Sequence, residues 1–282
     1  MAGELYIVAT PIGNLGDMVP RGVEVLQSAD LVAAEDTRHS RRLLDHFNID
    51  KPLVTYHDHS GGAKVDSLLQ ALQNGQTVAL VSDAGTPLIS DPGYRIVHQA
   101  RQQGIAVHPI PGPCAAVAAL SAAGLPTNRF TFEGFLPAKQ AGRVKSLELL
   151  VKESRTMVFY EAPHRVLDTL QDMKAVFGAD REVVLARELT KAFETILSAP
   201  LEELVEVVAA DSNQQRGEIV LLVSGVDEQQ EEAGHSEQER VLRLLLDELS
   251  VKQASTLAAK ITGGHKKTLY KLAVEIKDAA SD

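Results

Sequence analysis

Short apolar runs alternate with stretches of helical spacing along the first 110 residues. Residues 5–10 read as a buried strand stopped by Pro11 and Gly13, and residues 19–28 place Val23, Leu26 and the Ala29 region on one helical face. Three further strands, at 31–34, 53–56 and 78–81, are followed by helices at 40–47, 64–74 and 93–103, the last two closed by Gly75 and Gly104. A strand at 105–110 ends the series. Such alternation predicts a mostly parallel sheet covered by helices. From Thr131 the rhythm changes: strands at 156–160, 182–187, 194–198 and 218–224 stand closer together, with helices at 142–152, 165–177 and 201–210, the pattern of a mixed sheet. Residues 227–239 are acidic and polar with no apolar anchor, and read as a linker. Beyond them Ser250 and Gln253 match a capping box, and Val251, Ala254, Ala258 and Ile261 share one helical face. Gly263 and Gly264 break that helix, and Leu269, Leu272, Ala273 and Ile276 stripe the next, which carries His265, Lys266, Lys267 and Lys271 at its start. The expected division is therefore 1–124, an N-terminal α/β domain; 125–226, a second α/β domain; 227–239, a linker; and 240–282, a helical segment. Two helices across a glycine turn have helix-turn-helix spacing. A solvated appendage making dimer contacts and an RNA contact are equally consistent with it.

Composition narrows this picture. The chain has 282 residues, 44% hydrophobic but only 4% aromatic, so its cores are aliphatic. The single cysteine, Cys114, excludes a disulfide framework and a multi-cysteine zinc site and suits a reducing compartment. The start lacks a basic leader, and no run approaches the roughly 18 apolar residues of a membrane span. The expectation is a soluble, cytoplasmic protein without a membrane partner. A net charge of −10 argues against a bulk cationic nucleic-acid binder and leaves only local basic patches for such a role.

Chemistry concentrates at strand ends. Residues 82–93, SDAGTPLISDPG, follow an apolar strand and contain Gly85, Gly93, Pro87 and Pro92, so they form a loop where α/β folds place ligands. A second loop, PIPGPCAA at 109–116, follows the next strand, and the two read as walls of one small-molecule pocket. Asp83 and Asp91 offer carboxylates for ribose hydroxyls or a ligand cation, although Asp91 before Pro92 also makes a helix cap. The first loop, ATPIGNL at 9–15, lacks the glycines of a dinucleotide fingerprint, and no P-loop is present. EDTR at 35–38 and His57, Asp58 and His59 end two other strands on the same rim, beside a basic cluster of Arg38, His39, Arg41 and Arg42. Without further spaced ligands the histidines do not make a metal site. FYEAPHR at 159–165 and ARELTK at 186–191 put Glu161, His164, Arg165, Arg187, Glu188 and Lys191 at strand ends of the second half, and the facing clusters point to a cleft between the halves.

Taken in order, LYIVATPIGNLGD, AAEDTR, SDAGTPLISDPG, PIPGP, EGFLP, FYEAPHR, RELTK and GEIVLLV resemble the ribosomal RNA small subunit methyltransferase I family of the tetrapyrrole methylase superfamily, over about residues 3 to 225. The resemblance implies an S-adenosyl-L-methionine enzyme whose two α/β domains fold the cofactor into the cleft between them. It implies 2'-O-methylation of a cytidine in the decoding region of 16S rRNA, on the small ribosomal subunit, by a homodimer. By position it places cofactor contacts at Pro11, Gly13, Ser82, Asp83, Ala84, Gly85, Ser90, Asp91, Pro113, Cys114 and Ala115, with Tyr160, Ala162, Leu189 and the 217–219 region as walls. Cys114 departs from the serine often found there. A sulfonium methyl donor is already activated, so what remains is in-line placement and help for a poorly nucleophilic hydroxyl. Asp36, Arg38, Glu188 and Lys191 are the candidates for that work, Arg38 and Lys191 steering the RNA backbone and Asp36 or Glu188 orienting the hydroxyl. His39, Glu161 and His164 stand nearby. A tetrapyrrole C-methyltransferase and a non-catalytic ribosome assembly factor are the alternatives; the EDTR and RELTK motifs and the basic tail speak against the first.

Overall fold

The computed structural model describes residues 3–57, 61–227, 238–263 and 266–279. Asp58 and His59, most of the acidic linker, and His265 lie outside them. Two compact units are present, Met1–Val151 with Arg155–Ser224, and Lys152–Ser154 with Gly225–Asp282.

The first unit holds two sheets. Strands β1 (Glu4–Val8), β2 (Leu31–Ala34), β3 (Leu53–Thr55), β4 (Val78–Val81) and β5 (Ala106–Ile110) form a wholly parallel sheet in the order β3-β2-β4-β1-β5. Helices α1 (Pro20–Ser28), α2 (Thr37–His46), α3 (Gly61–Gln73) and α4 (Tyr94–Gln102) connect them. The central strand β4 is Val-Ala-Leu-Val and is buried along its whole length, as a parallel strand covered on both faces must be. Pro20 opens α1, where its missing N–H costs nothing. Helix α2 starts at Thr37, three residues earlier than its apolar spacing indicates, because the Asp36 carboxylate caps it by accepting from the Arg38 N–H at 2.8 Å.

After α5 (Ala115–Ala122), the second sheet contains β6 (Phe130–Phe135), β7 (Thr156–Glu161), β8 (Glu182–Arg187), β9 (Thr195–Pro200) and β10 (Ile219–Val223), in the order β6-β7-β10-β8-β9. Only β6 and β7 run parallel; the remaining pairs are antiparallel. Strand β6 was not legible in the sequence: it is an edge strand, nowhere fully buried, and its register slips between Phe132 and Gly134. Helices α6 (Gln140–Glu148), α7 (Val166–Phe177) and α8 (Leu201–Ala210) cover one face around Leu147, Met157, Phe159, Leu170, Leu185 and Leu221. The other face, with Val158, Val184, Ala186, Val220 and Leu222, packs against α5 and against Ile12 from the loop after β1. That contact turns the carboxyl-end loops of the parallel sheet toward the second sheet.

The second unit contains three helices, α9 (238–246), α10 (Val251–Thr262) and α11 (Lys266–Ala279). They enclose their own core of Leu242, Ala254, Ala258, Leu269 and Ala273. Residues 238 and 239, read as linker, are already helical, and Glu239 pairs with Arg243. Gln253 accepts from the Ser250 N–H and hydroxyl, and Gly263 ends α10 with φ 71°. Ile261, expected on the buried stripe, is exposed; Ser255 is buried in its place. No helix among the described residues is long and apolar enough to cross a membrane.

Candidate active site

Four segments that leave the parallel sheet are tied together. Thr10 and Gly85 exchange backbone hydrogen bonds at 2.9 and 3.0 Å, joining the loop after β1 to that after β4. The Thr86 hydroxyl donates to the Pro113 carbonyl at 2.8 Å, adding the loop after β5. The Asp36 N–H donates to the Asp83 carboxylate at 3.0 Å, adding the end of β2. Within these loops Leu88 and Ser90 hold positive φ angles of 73° and 65°, and in the second sheet Glu188 and Thr190 do the same at 52° and 66°. Non-glycine residues in this region are strained, and such strain is often found at functional sites.

The tied loops and the second sheet enclose two adjoining cavities. The first, about 340 Å³, is mainly apolar and lies among Ile12, Ala84, Ile89, Phe135, Leu189 and Val220. Its polar groups are few. Asp91 is half-buried; desolvation holds its carboxyl above the usual range against the pull of the Ser82 hydroxyl, and the nearby Asp83 adds to the rise. Tyr160 stacks edge-on with Phe132 and Phe135, its oxygen accepts from the Ala116 N–H at 3.2 Å, and burial pushes its phenol up. Glu161 also borders this cavity, but its carboxylate accepts from Arg165, Thr169 and the Ala162 N–H, which makes it a buttress for the wall.

The second cavity, about 310 Å³, is polar. It is lined by Thr10, Pro11, Ile12, Gly13, Leu15, Ser82, Asp83 and Ala84 from the tied loops, by His39, Ser40, Arg42 and Leu43 from α2, and by Lys191 and Glu218 from the second sheet. Ile12, Ala84 and Glu218 border both cavities. The Lys191 ammonium lies 2.8 Å from the Glu188 carboxylate and 2.9 Å from that of Glu218, and the Glu218 N–H donates to Glu188 at 2.9 Å. Burial pulls Lys191 down, but the two carboxylates outweigh it and hold it above its ordinary value. Burial likewise pushes Glu188 up, while the Lys191 ammonium and the Glu218 N–H hold it below. The lysine stem runs over Gly13, where a Cβ would stand 2.5 Å from Lys191 Cγ.

Of the residues expected to bind cofactor, Ala84, Gly85, Ser90, Asp91, Cys114, Ala115, Tyr160, Ala162 and Leu189 line the first cavity. Pro11, Gly13, Ser82 and Asp83 line the second, and Pro113 lines neither, its carbonyl being held by Thr86. The four residues expected to share the catalytic work do not converge. Lys191 lines the second cavity and Glu188 fixes it from behind. Asp36 caps α2, and the Arg38 N–H and guanidinium hold its carboxyl below the usual range. Arg38, in the first turn of α2, has a side chain 91% exposed and borders neither cavity. His164 is exposed beside Pro163. Residues 217–219, expected as a wall, line the first cavity, while Ile89, Phe135 and Ser40 were missed, although Phe135 lies in the EGFLP segment that the sequence had set apart. Among the described residues no cluster of His, Cys, Asp and Glu is placed to hold a metal.

Residues 4–205 match the model for Tetrapyrrole (Corrin/Porphyrin) Methylases, and residues 232–277 match the RsmI C-terminal HTH domain. A "Ribosomal RNA small subunit methyltransferase I" from Pseudomonas aeruginosa is 58% identical, covering 97% of this chain and 98% of its own. A protein of the same name from Escherichia coli O157:H7 is 55% identical, covering 97% of this chain and 95% of its own. The fold is shared with a uroporphyrin-III C-methyltransferase from Thermus thermophilus, solved in complex with S-adenyl homocysteine, at a TM-score of 0.54 and 18% identity over 79% of this chain and 97% of that one. The fold is thus that of a broad group, but near full-length identity above one half is specific: this chain belongs to the ribosomal RNA small subunit methyltransferase I family of the tetrapyrrole methylases.

Proposed function

We propose that this protein uses S-adenosyl-L-methionine to methylate the 2'-oxygen of a cytidine ribose in the decoding region of 16S rRNA, acting on the small ribosomal subunit as a homodimer in the cytoplasm. The observation that carries this reading is the pair of cavities of opposite character that share a wall, in a chain whose relatives are named for small-subunit rRNA methylation.

The first cavity fits the cofactor. It is concave and apolar with few polar groups, as small-molecule sites are. Ala84, Gly85, Ala115 and Ala162 are small enough for a ligand to approach the backbone, and Asp91 is suited to accept from hydroxyls or to face a cation. Bound there, the cofactor supplies an electrophilic methyl group on a cationic sulfur. The protein's task is to hold the ribose oxygen in line and to ease loss of its proton. Asp36 and Glu188 are both held below the usual carboxylate range, which makes them weak bases and stable anions. In this reading the Lys191 ammonium, fixed by Glu188 and Glu218, is the charge that stabilises a developing oxyanion at the wall between the cavities, and the hydroxyl proton leaves to solvent. Arg38, exposed beside Asp36, meets phosphate at the rim. Exposed Tyr94, Val117, Phe130 and Phe193 supply apolar surface for a second copy.

The test is methyl transfer from labelled S-adenosyl-L-methionine to small subunits lacking the modification, with free 16S rRNA alongside, followed by nucleoside analysis. Label in 2'-O-methylcytidine is expected. Label on a base, or transfer to uroporphyrinogen instead, would overturn the reading.

A further inference from the structure

We infer that the second cavity is a pocket for a single nucleotide turned out of the RNA stack, read by Ser40 and entered past Arg42. This deepens the proposed function and rests on it.

Four features of the cavity carry the inference. It shares Ile12, Ala84 and Glu218 with the first cavity, so a group seated in it adjoins whatever occupies that cavity, which transfer between two bound molecules requires. Its lining differs in kind: Arg42, Lys191, Asp83 and Glu218 bring charge and His39 an imidazole, where the first cavity has mainly apolar walls. Helix α2 supplies its outer side through two i,i+3 pairs, His39 with Arg42 and Ser40 with Leu43, so one helical turn presents a base-sized apolar contact, a hydroxyl and a cation together. Finally, Ser40 is only 2% exposed and its hydroxyl has no hydrogen-bond partner. A buried hydroxyl without a partner costs free energy, and a serine in a helix ordinarily bonds back to its own turn. Ser40 lies in the wall of the cavity, so a ligand seated there, with a rotamer change at Ser40, would give the hydroxyl the partner it lacks.

The charges also differ in how they are committed. Lys191 gives two of its three donors to Glu188 and Glu218, and Asp83 holds the Asp36 N–H. Arg42 is exposed and has no ion pair among the described residues, so its donors are open to a phosphate. A base inside a helical stem presents only its edges, and a pocket of about 310 Å³ admits a nucleotide only after it leaves the stack. This gives the enzyme a reason to act on a nucleotide held open by its surroundings.

The test uses the full chain, small subunits lacking the modification, and three variants, each checked for melting temperature and for cofactor affinity by calorimetry. Leu43→Trp, which fills the cavity from its half-buried side, is expected to lower kcat/KM for methyl transfer by about 100-fold with cofactor affinity unchanged. Ser40→Ala is expected to cost about 3- to 10-fold. Arg42→Ala is expected to raise KM and to reduce the salt slope of binding by about one. A folded Leu43→Trp that transfers at the wild-type rate overturns the inference, as does one that loses cofactor binding, since the cavity would then belong to the cofactor. Should Leu43→Trp fail to fold, Arg42→Ala decides: an unchanged KM and salt slope would overturn it. Failure of the wild-type enzyme to methylate subunits at all would instead remove the functional reading, and this inference with it.

Discussion

The two cavities are neighbours with opposite designs. The first is a trough of aliphatic and aromatic side chains in which one half-buried carboxylate, Asp91, touched by the Ser82 hydroxyl, is the main ionisable group without an ion pair among the described residues. The second holds five ionisable side chains and an orphan hydroxyl. An apolar trough binds through area and shape, and one misplaced charge in it is costly. A polar pocket binds through directed contacts, and its charges must be fixed in advance if they are to act without reorganising. The ion triad of Lys191, Glu188 and Glu218 is such a fixture, and one member, Glu218, borders both cavities.

The sharpest way to break the contrast is Lys191→Ala. It leaves Glu188 and Glu218 side by side without their cation, and methyl transfer should fall about 10²- to 10³-fold. Cofactor affinity, measured by calorimetry, should stay within a few-fold of wild type; a parallel loss of both would merge the two cavities into one functional site.

Asp91→Asn attacks the other side. Loss of a charged acceptor in the first cavity should weaken cofactor binding by about 10- to 100-fold. The pH dependence follows from the direction of its shift. Because burial raises Asp91, the folded apo protein favours its protonated form, so its ionisation counts against stability as pH rises from the ordinary carboxylate value through the raised one. Across that window wild-type cofactor affinity should rise with pH and Asp91→Asn affinity should stay flat, while the apo variant should melt no lower than wild type near neutrality. Equal pH profiles would show that Asp91 does not face the cofactor.

Truncation after residue 226 removes the helical unit and no residue bordering either cavity. Cofactor affinity should be unchanged, and KM for small subunits should rise about tenfold as a second point of attachment is lost. Cutting within that unit is a poorer experiment, because Leu269 and Ala273 belong to its core.

The smallest effect belongs to Gly13→Ala. Its Cβ would press on the Lys191 stem, which is flexible enough to shift. A few-fold loss of transfer with normal cofactor binding is expected, measured in single-turnover assays. No change would mean that the position of the lysine stem is unimportant.

Much of this molecule was legible in its sequence for local reasons. Continuous apolar runs such as Val78–Val81, bounded by turn residues, read as buried strands, and Gly75, Gly104 and Gly263 punctuate helices through constraints carried by single residues. The loop at 82–93 announced itself because glycine, proline and aspartate together exclude both helix and core. What failed was whatever depends on partners distant in sequence. Strand β6 exists because β7 offers an edge to pair with, and nothing in Phe130–Phe135 alone says so. Asp36, read as a site residue, caps α2 with its carboxylate and gives its N–H to the distant Asp83, a tie that its own neighbours in the chain do not announce. Ser40 carries no signal at all until the fold buries its hydroxyl without a partner.

The sequence by itself determined the kind of elements, the strand-end loops and the family, since these follow from spacing, backbone constraint and ordered motifs. Only the tertiary structure decided that the loops enclose two cavities, that Lys191 spans from the second sheet to Gly13, and that Glu218 borders both, because side chains far apart in the chain meet only when two sheets pack through Ile12 and α5.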